Sequence, residues 1–244
     1  MKEQNWFAIA IDFFIVIVGV FIGIQVANWN DERVNAQIET ELLIELRSEI
    51  VASINTAKQR VQNYQQVADA AKRSLNFIAT QAPCGTKCWL VLVDFMHASQ
   101  WQGVDVARST FDNMRGMGLP KERKIIEHTE AYLRQNKAAA DTYAVLPYYR
   151  DLVRQLVAVE AQEVYWKTCW SITNGAEIYN LDCPKGVADE LSTKIVEKIA
   201  KHPEIQPHLT QWTAHIMNLP IAFSSQITSA NKAVAAIDAE LKRR

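Results

Sequence analysis

Residues 6–27, WFAIAIDFFIVIVGVFIGIQVA, constrain this chain more than any other stretch: an apolar run interrupted by one charge, Asp12. From Trp6 to Ile24 it would form roughly 28 Å of helix, about the thickness of a bilayer hydrocarbon core. A cleaved signal peptide is the competing reading, but signal cores hold about 7–15 apolar residues and end in a small-x-small site. The only candidate site, Gln25-Val26-Ala27, puts a bulky polar residue where a small one is needed. The run therefore predicts an uncleaved transmembrane anchor, residues 1–30.

No proline occurs before Pro83, and the only earlier glycines, Gly19 and Gly23, lie inside the apolar run. The anchor is thus expected to continue as one helix over residues 7–80, about 110 Å long. Leu43, Leu46, Ile50, Ile54, Ala57, Val61, Tyr64, Ala68, Ala71, Leu75 and Ile78 recur at alternating steps of three and four with one extra four, a coiled-coil-type seam. Residues 31–82 accordingly read as a long coiled-coil-like helix. PCGTKC makes a sharp turn, and WLVLVDFM (89–96) reads as a buried return helix, with a strand as the lesser alternative. A helix through VARSTFDNMRGMG is expected to end on Gly116 and Gly118, with Pro120 starting the next. Lys121 to about Lys167 is helical in pattern with a break at Pro147, and residues 169–186 form a loop with an Asn174-Gly175 turn signal. Helices at about 187–201 and 204–242 follow, the second kinked or broken at Pro207 and Pro220. The expectation is an all-α protein: a single N-terminal transmembrane helix continuing into a long helix, and an up-and-down extramembrane bundle over 83–244.

The four cysteines form two close pairs, Cys84 with Cys88 and Cys169 with Cys183. An even number in short loops reads as disulfides in an oxidising compartment, and loop-closure entropy favours the local pairing among three. Zinc is a rival, but Cx3C with Cx13C lacks the CxxC knuckles of structural zinc sites. Free buried thiols are the other.

Residues 31–50 carry six acids and two bases, whereas Lys2 precedes the apolar run. This asymmetry places the N-terminus in the cytoplasm and the large domain in the periplasm of a bacterial inner membrane. Setting aside Lys2, Glu3 and Asp12, basic and acidic residues balance, which argues against a nucleic-acid partner.

Asp12, Val16, Gly19, Gly23 and Ala27 are spaced to form one stripe along the apolar helix. Small residues let a second helix approach closely, so the stripe is the candidate face for self-association or for other transmembrane subunits, with membrane lipid around the rest. A headgroup-level position explains Asp12 more blandly, and the frequency of glycine in membrane helices explains the glycines. The aromatics Tyr143, Tyr148, Tyr149, Tyr165, Trp166, Trp170 and Tyr179 could wall a ligand cavity, though packing is the commoner use of such residues. His97, His128, His202, His208 and His215 stand in no HxxxH or HExxH pair, and no GxSxG, P-loop or GxGxxG occurs. No catalytic residue, metal site or cofactor is therefore assigned. LKRR at 241–244 complements a helix dipole or, as the sharper reading, lipid headgroups.

FIVIVGVFIGIQVANWNDER (14–33), followed by ETELLIELRSEI (39–50), resembles an uncharacterised family of bacterial single-pass inner-membrane proteins. In that family the first helix carries an early carboxylate and a glycine-containing core and ends like QxxNWN(D/E); the matching positions are Asp12, Gly19, Gln25, Asn28, Trp29, Asn30 and Asp31. RSTFDNMRGMG (108–118) is a weaker echo. The resemblance implies an inner-membrane protein with a helical extramembrane domain and no stated activity. The functional expectation is a non-enzymatic accessory or scaffold subunit of an inner-membrane complex; the alternative is a periplasmic small-ligand sensor or binding module.

Overall fold

One helix, α1 (Trp6–Thr80), runs without a break through the apolar run and the seam, because nothing between Gly23 and Pro83 can interrupt it. The computed structural model describes residues 6–173, 176–183 and 186–244, with side chains from residue 11 onward except that of Ala176. α1 changes character along its length. Residues 11–37 are exposed, Val18 being half-covered, and the first buried residue is Glu39. From Leu43 to Ala71 the seam is buried as expected, apart from half-buried Val61, and it widens distally to include Asn63, Val67, Ala70 and Ser74. The widening arises because α1 is flanked there by two helices, α2 and α8, and its alanines let them approach closely.

α1 ends where Gln81 adopts φ 51°, a left-handed capping position, and Pro83 forbids continuation. A 3-10 turn at Gly85–Lys87 leads into α2 (Cys88–Ala98), and the Cys84–Cys88 disulfide closes it. α2 is the buried return helix: Trp89, Leu92, Phe95 and Met96 are each at most 2% exposed, worth about 2 kcal/mol or more apiece.

α3 (Ser109–Gly116) begins later than the sequence pattern suggests, after a loop that crosses the polar cluster described below. α4 (Arg123–Thr142) starts three residues beyond Pro120, capped by Glu122, whose carboxylate accepts the Lys124 N–H at 3.2 Å. The expected 121–167 helix is three helices. Pro147 precedes α5 (Tyr148–Leu156) as expected, but a second break separates α5 from α6 (Val159–Thr168) with no proline or glycine. There Val157 and Ala158 are extended, Val157 is buried, and the Gln162 amide donates to the Arg154 and Val157 carbonyls.

Residues 169–186 are more ordered than the loop expected of them. β1 (Trp170–Thr173) and β2 (Ala176–Tyr179) pair antiparallel in the register Trp170↔Tyr179 to Thr173↔Ala176; the Asn174-Gly175 turn lies outside the described residues. Cys169–Cys183 staples the hairpin, with Cα atoms 4.9 Å apart. Chain entropy assigns about 3 kcal/mol to this closure and about 2 to the shorter one.

α7 (Asp189–Ala200), α8 (Ile205–Met217) and α9 (Leu219–Arg243) complete the bundle. Pro207 causes no kink because it sits in the first turn of α8, where its missing N–H would have no intrahelical partner. The break falls at Asn218, and Pro220 lies in the first turn of α9. The elements form two adjoining cores. Near Glu39, α1, α3, α4 and α9 enclose Leu43, Ile50, Phe111, Met114, Ile125, Tyr132 and Ile237. Farther along, α1 packs with α2, α5, α7, α8 and the hairpin around Tyr64, Trp89, Phe95, Tyr149, Val196 and Trp212, and Ile227 touches both cores.

The border between exposed and embedded α1 is held by charge. Arg244 pairs with Glu39 at 2.6 Å and with Glu240 at 2.8 Å, and it donates to the Ala36 carbonyl and Thr40 hydroxyl, each at 3.0 Å. The other Glu39 oxygen accepts the Lys121 N–H at 2.7 Å, so one carboxylate joins α1, α9 and the segment before α4. The Glu39 and Glu240 side chains are 2% and 4% exposed. Arg244→Ala would strand Glu39, and thermal or denaturant unfolding should show a loss on the order of 3 kcal/mol. A loss below about 1 kcal/mol would show that water or Lys121 suffices to hold it.

Candidate functional site

A set of polar side chains gathers inside the bundle where the α2–α3 loop meets α1, α5, α6 and the hairpin. The loop's path is set by Tyr64 of α1, whose hydroxyl accepts from the Gln102 N–H at 2.8 Å and donates to the Gln102 carbonyl at 3.0 Å. Buried Gln100 donates to the Tyr165 hydroxyl at 2.8 Å and accepts from Arg154 Nη2 at 3.2 Å. Arg150, one turn earlier on α5, donates to the Ser99 carbonyl at 2.8 Å, and Arg154 Nε reaches the Ser99 hydroxyl at 3.3 Å.

The hairpin supplies the acid. Glu177 Oε2 accepts from the Tyr179 hydroxyl at 2.8 Å and from the Trp170 indole at 3.2 Å, and its carbonyl accepts from Asn63 at 3.0 Å. Trp166 lies 5.1 Å beneath the Arg154 guanidinium and 5.3 Å from the Trp170 ring. Of the seven aromatics singled out in the sequence, Tyr143, Tyr149, Tyr165 and Tyr179 are buried and mostly pack, Tyr148 is exposed, and Trp166 and Trp170 edge this cluster.

Burial displaces the ionisations. The Arg154 guanidinium loses hydration and is brought down to about 10, and Arg150 is lowered for the same reason, Glu177's charge opposing both shifts. Tyr64 is pushed up to about 12 by burial, and Tyr165 and Tyr179 are raised too, the latter also by Glu177. At neutral pH the phenols are donors and the arginines stay cationic, so the cluster can hold charge.

His97 sits against the same hairpin. Its ring lies 5.4 Å from Tyr165 and 5.6 Å from Tyr179, and it is 1% exposed. Nε2 donates to the Cys169 carbonyl at 3.3 Å, which leaves the lone pair of Nδ1 buried without a partner. Of the other histidines, His208 and His215 line a cleft of about 330 Å³ with Tyr148 and Trp212. A larger groove of about 440 Å³ lies at the α1–α2 turn, between Phe77, Ile78 and Pro83 and the α7 residues Val196 and Ala200. Among the described residues no three His, Cys, Asp or Glu side chains gather as metal ligands.

Asp12, Val16, Gly19, Gly23 and Ala27 lie along the exposed part of α1, and a methyl group added at Gly19 or Gly23 would meet nothing within 4 Å. The two cysteine pairs are bonded locally, as loop closure favours. Arg150, Arg154, Gln100 and Glu177 were not singled out by motif. The available signal was that neither arginine has an acid four residues away on its helix, unlike Arg108 with Asp112, Arg123 with Glu127 or Lys137 with Asp141. No family model matches the chain, and no curated protein or solved structure matches it either.

His97 titrates below its ordinary range because burial disfavours the cation, Arg73 adding to the effect while the Cys169 carbonyl and Asp94 oppose it. The unfolded chain takes up that proton near pH 6.5 and the folded one only at lower pH, so acidification favours unfolding between the two values by up to about 1.4 kcal/mol per pH unit. Denaturant midpoints measured from pH 7.5 to 5 should fall with pH. His97→Gln, which retains a donor for Cys169, should flatten that slope; an unchanged slope would assign the acid sensitivity elsewhere.

Proposed function

We propose that this chain is a non-enzymatic accessory or scaffold subunit of a bacterial inner-membrane complex, anchored by the first part of α1 and projecting its helical domain into the periplasm. The observation that carries the reading is the contrast along α1: among the described residues one helix is long and apolar enough to cross a membrane, and residues 11–37 of it are left uncovered by the rest of the described chain, apart from half-covered Val18. An apolar helix surface of that length needs lipid or another apolar helix around it. Two disulfides fit an oxidising compartment, and the acid-rich segment after the apolar run fits translocation of the domain. The resemblance of residues 14–33 and 39–50 to single-pass inner-membrane proteins supports the same placement.

Partner contact is assigned to the stripe Asp12, Val16, Gly19, Gly23 and Ala27, which occupies one narrow arc of the helix. Gly19→Ile or Gly23→Ile should hold helices apart and reduce apparent size or stoichiometric partner retention in mild detergent, whereas Val16→Ala should matter less. Unchanged migration and unchanged partners in both glycine variants would remove the packing face from the model of action.

Topology is tested separately. A reporter active only in the periplasm, fused after Arg244, should be active, and one active only in the cytoplasm silent. The opposite pattern would place the domain inside the cell.

A further inference from the structure

We propose that the Cys84–Cys88 disulfide is a thiol–disulfide exchange site that accepts two electrons from a protein dithiol whose cysteines stand in an apolar segment. The inference goes beyond the scaffold reading and does not depend on it.

The two disulfides differ in access. Cys169 and Cys183 are 0% and 3% exposed, so both halves of that bridge are sealed from solvent. Cys84 is half-exposed and forms part of the wall of the groove of about 440 Å³ at the α1–α2 turn, whereas its partner Cys88 is 1% exposed. One half of this bridge faces a groove and the other is withdrawn from it, which directs an incoming thiolate to Cys84.

The withdrawn half is placed to leave. Cys88 opens α2, where backbone N–H groups have no intrahelical acceptor and favour negative charge. Thr193 Oγ1 of α7 lies 3.2 Å from Cys88 Sγ and 2.7 Å from the Asp189 carbonyl. Its one proton serves the carbonyl while the sulfur is neutral and turns to the sulfur once that is a thiolate, the stronger acceptor. Burial by itself keeps a thiol protonated; the hydroxyl and the helix terminus act against it, and a lower thiol pKa makes a faster leaving group. Thr168 Oγ1 holds a comparable place beside Cys169 and Cys183, at 3.4 and 3.6 Å, so access is what separates the two bridges.

In the exchange, a thiolate of the dithiol attacks Cys84 Sγ, and an S–S bond to Cys84 forms as the Cys84–Cys88 bond breaks and Cys88 leaves as a thiolate. The second thiolate of the dithiol then attacks its own first sulfur, which closes the substrate disulfide and releases Cys84 as a thiolate. The dithiol is oxidised by two electrons, the bridge is reduced by two, and the two protons shed by the dithiol end on Cys84 and Cys88.

The groove selects the partner. Phe77, Ile78, Ala82, Pro83 and Val196 line it, and its charged lining residues, Glu197 and Lys201, pair with each other at 3.1 Å. A wall without net charge suits apolar residues around the attacking cysteine and gives no counter-ion to a small anionic thiol such as glutathione. Among the described residues no hydrogen bond engages the N–H groups of Ala82, Cys84 or Gly85, which leaves them open to the carbonyls of an extended segment. A loop this short constrains the unfolded chain little, and α2 is held independently by Trp89, Leu92, Phe95 and Met96, so the domain stays folded when the bridge opens.

The test uses the oxidised full chain in detergent micelles, a reduced synthetic peptide with two cysteines flanked by leucine and valine, and timed alkylation with peptide mass mapping. The Cys84–Cys88 bridge should open at least about tenfold faster than Cys169–Cys183, with helicity by circular dichroism unchanged, and glutathione at equal thiol concentration should react more slowly than the peptide. Thr193→Val should slow the opening about threefold or more, and Thr193→Ser should restore it. Ala82→Asp, at an exposed position on the groove, should slow the peptide and leave dithiothreitol unaffected. With the peptide in its disulfide form, Cys88→Ser should trap a mixed disulfide on Cys84. The proposal is overturned by equal opening rates of the two bridges, by loss of the fold when Cys84–Cys88 is reduced, by glutathione reacting as fast as the peptide, or by parental rates in both Thr193→Val and Ala82→Asp.

Discussion

One unbroken helix organises this protein. Between Gly23 and Pro83 α1 contains neither glycine nor proline to break it, so the other elements find their places along one continuous helix. It offers two kinds of surface. Its first part is apolar on all sides and buries none of them in the protein, whereas from Glu39 on it offers a stripe in steps of three and four that the bundle covers. Between the two lie the exposed, mostly polar residues 28–37, and the buried pairing of Glu39 with Arg244 sits where the covered part begins. A charge there is tolerable only because two arginines, a backbone N–H and Glu240 form one connected set.

The distal half is assembled differently. Its apolar core is ordinary in composition, but hydrogen-bonded phenols and amides, more than regular helix packing, fasten the hairpin and the α2–α3 loop to it. Tyr64 holds the loop, Asn63 and Gln102 hold the hairpin, and Gln100 links α6 to α5. Such a network specifies one arrangement of irregular segments where shape alone would permit several. Within it Arg150 and Arg154 donate to a carbonyl, a hydroxyl and an amide oxygen, while Glu177 is engaged by Trp170 and Tyr179.

Much of the helical layout was readable in the residues, and the reasons differ by element. α1 and its seam were legible because long periodic segments without breakers have one low-energy form. α2 was legible from its apolar density and the disulfide turn before it. The break between α5 and α6 was not, because it is made by burial of Val157 and by a side-chain amide, Gln162, that caps the preceding helix end, neither of which leaves a local signature. The hairpin was half visible: Asn174-Gly175 marks a reversal, but four-residue strands in an otherwise helical chain carry too little alternation to stand out. The polar cluster was invisible as a unit. Its members come from residues 63–64, 99–102, 150–154, 165–170 and 177–179, and only tertiary packing brings them together.

The wide separation in sequence of α1's partners bears on how the chain is made. The ion pair that closes the border joins residues 39 and 244, and Arg47 meets Asp238 across 191 positions. Synthesised from its N-terminus, α1 emerges with Leu43, Leu46, Ile50 and Ile54 unprotected until α9, far along the chain, follows. The basal core therefore closes over a long stretch of chain, at an entropic cost that local pairing would not carry. Until then the nascent protein presents a long apolar stripe next to its membrane-length segment, which makes it a client for whatever shields hydrophobic surface on the side where its domain folds.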